Sequence, residues 1–243
     1  MHPSRRAFLA QSSALLALTA CTGTTKPDDD TTLDTAGADT GGTDTGAGDT
    51  GTSDSGPVDT ADPVRDAACE RTDALPSGCT PTSPDGEGPY WRPDAPERSN
   101  LNVRGDPGTR LFLAARVLDG RCQPVAGVRV YVWSANTELT YDFEAADPNL
   151  YGYQTTGPDG TVCFETLRPL PYGPPESMLP AHLHLNLLDA ATGRKLLTTQ
   201  LRFAGDPYLD PNGDTRRVVT PETLADGSER VTFDFVLPSA GPA

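Results

Sequence analysis

Six segments of the chain alternate apolar and polar side chains with period two: Leu111–Leu118, Val125–Trp133, Thr161–Leu167, Ala181–Leu188, Lys195–Phe203 and Arg230–Leu237. Such alternation predicts strands with one face buried. Turn signals separate them, among them Asp119-Gly120, Gly157-Pro158-Asp159-Gly160, Ala191-Thr192-Gly193 and Asn212-Gly213-Asp214. Short strands punctuated in this way predict an all-β, antiparallel β-sandwich with long loops. No long segment carries a helical apolar stripe.

The pattern stops at the N-terminal quarter. Residues 1–20 read as an export signal: Ser4-Arg5-Arg6-Ala7-Phe8-Leu9 fits the twin-arginine pattern, and the apolar stretch after it is too short to span a bilayer. Leu18-Thr19-Ala20-Cys21 resembles a bacterial lipoprotein cleavage box, so Cys21 is the expected lipidation site and a lipid anchor there the only expected membrane contact. Residues 21–66 are dominated by Asp, Thr, Gly, Ala, Ser and Pro. Asp34, Asp39, Asp44, Asp49, Asp54 and Asp59 recur every five residues, each followed by Thr or Ser. That composition cannot bury enough apolar surface to offset ordering entropy, and a disordered, self-repelling linker is expected. The globular domain is expected over residues 67–243. The envelope of a bacterial cell is the expected location.

The linker holds much of the formal net charge of −15, yet residues 65–243 alone carry 24 acidic and 16 basic side chains, a net of −8. An acidic domain excludes nucleic acid as the expected partner. Four cysteines follow Cys21: Cys69, Cys79, Cys122 and Cys163. An even number in an exported domain favours two disulfides over a zinc site. Three pairings are possible; the local pair Cys69–Cys79, with Cys122–Cys163, is preferred.

Candidate chemistry centres on His182-Leu183-His184. On a strand the two imidazoles share one face while Leu183, Leu185 and Leu187 face a core. Neutral imidazoles so close form half of a metal site. Tracing the strands from Val125 to Trp133 and from Thr161 to Leu167 into their following loops brings Tyr141 and Tyr172 to one end of the sandwich. Two tyrosines and two histidines then converge there. Asp210-Pro211-Asn212-Gly213-Asp214 lacks the glycine and glutamate of a calcium loop and reads as a surface turn.

At this point the chain resembles the intradiol ring-cleavage dioxygenases. The likeness is carried by Glu87-Gly88-Pro89-Tyr90-Trp91, by 124–136 with Tyr141 following, by Pro169–Tyr172, by Pro180-Ala181-His182-Leu183-His184 and by 199–207, in the family's order. The resemblance implies a non-haem ferric ion, Fe(III), held by Tyr141, Tyr172, His182 and His184. It implies intradiol cleavage of a small aromatic diol by dioxygen to a cis,cis-muconate-type product, with Tyr172 and Gln200 in catalytic roles and Tyr90 in the substrate pocket. One position departs from the family. Leu179 stands where the family has an arginine thought to stabilise negative charge on the substrate. Losing such a cation typically costs several kcal/mol of transition-state stabilisation. The alternative reading is therefore a catalytically impaired surface module that binds metal or an aromatic. Arg168 aligns with an ordinary strand position and is not expected to substitute.

Overall fold

The computed structural model describes residues 62–238. The expected signal, the lipidation site at Cys21 and most of the linker lie outside these residues. The elements are α1 (Pro63–Cys69), β1 (Arg110–Leu118), β2 (Val128–Trp133), β3 (Tyr151–Thr155), β4 (Thr161–Leu167), β5 (His182–Asp189), β6 (Lys195–Phe203), β7 (Val218–Val219), β8 (Glu222–Thr223) and β9 (Glu229–Val236). One sheet has four strands in the order β4-β1-β9-β8, the other five in the order β3-β2-β5-β6-β7. Their inner faces bury Leu111, Leu113, Val130, Phe164, Leu183, Leu185, Leu187, Leu201 and Phe235 in one core. The result is an all-β sandwich.

The sheets are mixed rather than wholly antiparallel. β9 runs parallel to β1, and β7 parallel to β6. A parallel neighbour needs a crossover rather than a hairpin, and here the chain leaves the five-stranded sheet after β7 to finish in the other one.

All six predicted strands form. β3 escaped the pattern because Tyr-Gly-Tyr-Gln-Thr has no clean alternation. Its glycine is a packing requirement: a Cβ on Gly152 would lie 2.6 Å from Leu101 Cδ2 and 2.8 Å from Arg98 Cγ. α1 starts at Pro63, four residues before the expected domain boundary. Pro sits at its first position, where no amide donor is missed, and the Asp62 side chain accepts from the Val64 and Arg65 amides.

The preferred disulfide pairing is overturned. The bridges are Cys69–Cys163 and Cys79–Cys122, each with Cα atoms 5.5 Å apart. In β4, Val162 and Phe164 face the core, so Cys163 faces outward. α1 packs on β1 and β4 and delivers Cys69 to that outer face. Cys122 lies instead in the turn after β1, its amide bonded to the Asp119 carbonyl.

Candidate metal centre

β5 is buried along its whole length. Its leucines fill the core between the sheets, as the alternation predicted, while His182 and His184 occupy the opposite face under a lid of loops. The site thus lies on the outer face of the five-stranded sheet, towards the start of β5. A second aromatic cluster lies on this face, where Tyr131, Trp133, Tyr151 and Leu188 are buried and Trp91, Tyr141 and Tyr153 pack against them.

Each candidate ligand has a local reason for its position. The His182 Nδ1 lies 2.6 Å from the Pro180 carbonyl; a carbonyl can only accept, so Nδ1 carries the proton and Nε2 keeps a lone pair. The His184 ring stacks on Trp133, with centroids 5.0 Å apart and 7° between planes. Its other edge is closed by Gly88, whose φ is +72° and where a Cβ would meet His184 Cε1 at 3.1 Å. Tyr141 ends a turn built by Asn136, whose Oδ1 accepts from the Glu138 and Thr140 amides at 3.0 Å each. Tyr90 stacks on the Tyr141 ring at 4.4 Å. Tyr172 is held by a two-way backbone bridge to Leu179, with N···O distances of 3.1 and 2.7 Å.

The four donor atoms close a ring. Tyr141 Oη lies 2.8 Å from Tyr172 Oη, Tyr172 Oη 3.3 Å from His182 Nε2, His182 Nε2 3.0 Å from His184 Nε2, and His184 Nε2 3.0 Å from Tyr141 Oη. Donors about 2.0–2.1 Å from a shared cation and near 90–110° apart have edges of this size. Burial, followed by the neighbouring His182, pushes the His184 pKa down to about 3, and burial lowers His182 as well. Burial raises the phenols of Tyr141 and Tyr172. Both imidazoles are therefore neutral, and without a cation both phenols keep their protons. A high-valent, hard cation reverses the phenol shift and takes the imidazole lone pairs, so the donor set fits a ferric ion. Among the described residues no cluster of three or more His, Cys, Asp or Glu side chains offers another metal site.

A pocket of about 200 Å³ opens beside the ring, lined by Gly88, Tyr90, Tyr172, Leu179, Gln200 and Arg202 with the two histidines. The catalytic candidates Tyr172 and Gln200 and the pocket candidates Tyr90 and Leu179 come together there. Gln200 is also structural: its Nε2 donates to the Gly86 carbonyl at 2.7 Å and ties down the loop that bears Tyr90. Leu179 is 47% exposed at the rim. Arg168 lies apart, bonded to Glu229 at 3.1 Å and stacked on Phe203. Sequence reasoning missed Trp133, Asn136 and Arg202 as site residues. Arg202 and Trp133 become visible once strand register is known, because they stand opposite His182 and His184.

Comparisons with known proteins identify the family of the chain. A family model described as Dioxygenase matches residues 86–239, and the chain belongs to the intradiol ring-cleavage dioxygenases, a family of oxidoreductases. A chlorocatechol 1,2-dioxygenase from Rhodococcus opacus is 33% identical over 184 residues, covering 62% of this chain and 70% of that protein. A hydroxyquinol 1,2-dioxygenase from a Rhizobium species is 35% identical over 143 residues, covering 50% of this chain and 48% of that protein. The chain thus spans about half the length of some curated relatives. Among solved structures, the dioxygenase domain of a dioxygenase carbohydrate-binding protein fusion from Streptomyces sp. SirexAA-E aligns with a TM-score of 0.57 at 32% identity, covering 66% of this chain and all of that one.

Proposed function

We infer that this domain holds one ferric ion through Tyr141, Tyr172, His182 and His184 and cleaves a catechol-type ring between its two hydroxylated carbons with dioxygen. The product is of the cis,cis-muconate type. The observation that carries this reading is the closed ring of two phenol oxygens and two imidazole nitrogens beside an open pocket. The named activities of the relatives, all 1,2-dioxygenases of catechols, support the substrate class.

The chemistry that a bound ferric ion supplies is Lewis acidity towards both hydroxyls of a chelating diol, with the ring made reactive to dioxygen. The chain's own residues do the rest. Tyr172, on the pocket side of the ring, is positioned to receive a proton from an entering diol. Gly88, Pro89 and Tyr90 line the pocket beside the ring, and Gln200 ties down this segment through the Gly86 carbonyl.

Export by the twin-arginine route and anchoring through Cys21 belong to the same proposal. Two disulfides in the folded domain support an oxidising compartment.

Iron analysis of exported protein, its visible spectrum and dioxygen uptake with catechol test the reading together. Red-brown, iron-loaded protein that consumes dioxygen is expected. Colourless, iron-free protein after expression with ample iron overturns it. A second reading, a surface module that binds metal or an aromatic without turnover, is favoured by the apolar, exposed Leu179. It is recognised by iron and catechol binding with no dioxygen uptake.

A further inference from the structure

Ring cleavage places negative charge in the pocket, and Leu179 offers nothing to offset it. Another residue of the pocket lining does. Arg202 stands across from His182 in the β5–β6 pair, and opposed side chains in such a pair share a face with Cβ atoms about 4.5–5.5 Å apart. Among the described residues lining the pocket it is the only one with a permanent charge. Its Nη2 donates to Asp85 Oδ2 at 2.8 Å and to Gln200 Oε1 at 3.2 Å, while its Nε is buried without a hydrogen-bond partner.

Asp85 offsets this charge only in part. The same Oδ2 also accepts from Arg217 Nη1, so one carboxylate serves two guanidinium groups and leaves an excess of positive charge. Asp214 comes no closer to Arg217 than 3.7 Å and is itself bonded to Arg216 at 2.9 Å. The Arg202 side chain is a quarter exposed, but leaving its buried Nε–H unused is costly unless a ligand completes it. A bound diol losing protons beside it is such a ligand.

We propose that Arg202 is the residue of this pocket that stabilises the negative charge of a bound catechol, acting from β6 rather than from the loop before His182. The proposal rests on the dioxygenase reading above and concerns only which group supplies the charge.

The test uses the full iron-loaded chain and three variants: Arg202→Gln, Arg202→Lys, and Leu179→Arg combined with Arg202→Gln. Catechol is first titrated without dioxygen, following the visible band, and dioxygen uptake is then measured. Arg202→Gln should weaken anaerobic catechol binding about tenfold, the worth of one charge-assisted hydrogen bond. It should lower kcat by roughly 10²–10³, as loss of a preorganised charge-stabilising donor does. Iron content and melting temperature should hold. Arg202→Lys should recover part of both losses, and the double variant should recover turnover by supplying a cation from position 179. Wild-type affinity and kcat in Arg202→Gln would overturn the proposal. Loss of iron in Arg202→Gln and Arg202→Lys alike would also overturn it, because Arg202 would then be part of the scaffold. Wild-type protein that binds no iron sinks the dioxygenase reading itself, a different result from an active wild type indifferent to Arg202.

Discussion

Trp133 lies flat against His184, the ring planes 7° apart, and the two residues are direct partners in the β2–β5 register. The indole is fully buried. It forms the floor on which the second imidazole is oriented, so packing and metal affinity are coupled through one contact. Trp133→Ala should destabilise the fold by about 3–5 kcal/mol and weaken iron retention by about 10–100-fold, the range for groups that orient a ligand. Trp133→Phe should keep most of the affinity. Chelator competition alongside thermal melts separates the two effects; undiminished iron affinity in Trp133→Ala would show that the strand alone orients His184.

The donor ring predicts a graded response to ligand removal. His182→Ala or His184→Ala should abolish both iron retention and colour, since each removes a neutral nitrogen that nothing nearby replaces. Tyr141→Phe and Tyr172→Phe each remove one phenolate and should shift the visible band as well as weaken binding. Elemental analysis with absorption spectra reads both. A His184→Ala protein that keeps stoichiometric iron and its colour would remove that residue from the ligand set.

Much of this was legible in the sequence, for identifiable reasons. The period-two reading gave the six long strands and put Leu183 and His184 on opposite sides of β5, although β1 and β5 prove buried on both faces. β3 stayed hidden because Gly152 answers to the approach of Leu101 and Arg98, a tertiary demand with no local pattern. The ligand residues were readable from motif and order. Arg202 was not, since its place beside His182 depends on strand register. The disulfides failed for a similar reason: the nearest cysteines in sequence are separated once α1 folds back onto β4.

The observed pairing makes its own prediction. Cys69–Cys163 joins residues 94 apart and Cys79–Cys122 residues 43 apart. Peptide mapping without reduction should recover those two linked pairs. Removing either bridge by paired Cys→Ala exchange should cost about 2–4 kcal/mol in denaturant unfolding. Recovery of a Cys69–Cys79 peptide would contradict the placement of α1.

Leu179 holds Tyr172 through its backbone while its side chain stands at the exposed rim. Leu179→Arg alone should therefore fold normally. With Arg202 already supplying a cation, it should change kcat far less than the roughly 10²–10³ expected for Arg202→Gln. A large rise in turnover with unsubstituted catechol would mean that the pocket lacks charge in the wild type.

Acid stability should trace partly to Asp73, which bridges two buried arginines. Its carboxylate accepts from Arg71 Nε at 2.7 Å and from Arg116 Nη2 at 2.9 Å. The Arg71 hydrogen bond, aided by the charges of Arg71 and Arg116 and opposed by some burial, holds its pKa at about 2, below the ordinary 3.8. A depressed carboxyl pKa favours the folded, ionised state. Its contribution is complete above the unfolded value and disappears as pH falls from 3.8 through about 2. Asp73 is half exposed, so solvent screening keeps the effect modest. Asp73→Asn should lower the melting temperature by a constant margin at neutral pH, and that margin should close as pH approaches 2. Melting curves of both proteins across this range decide it; a margin that persists undiminished at the acid end would mean that the loss comes from geometry rather than charge.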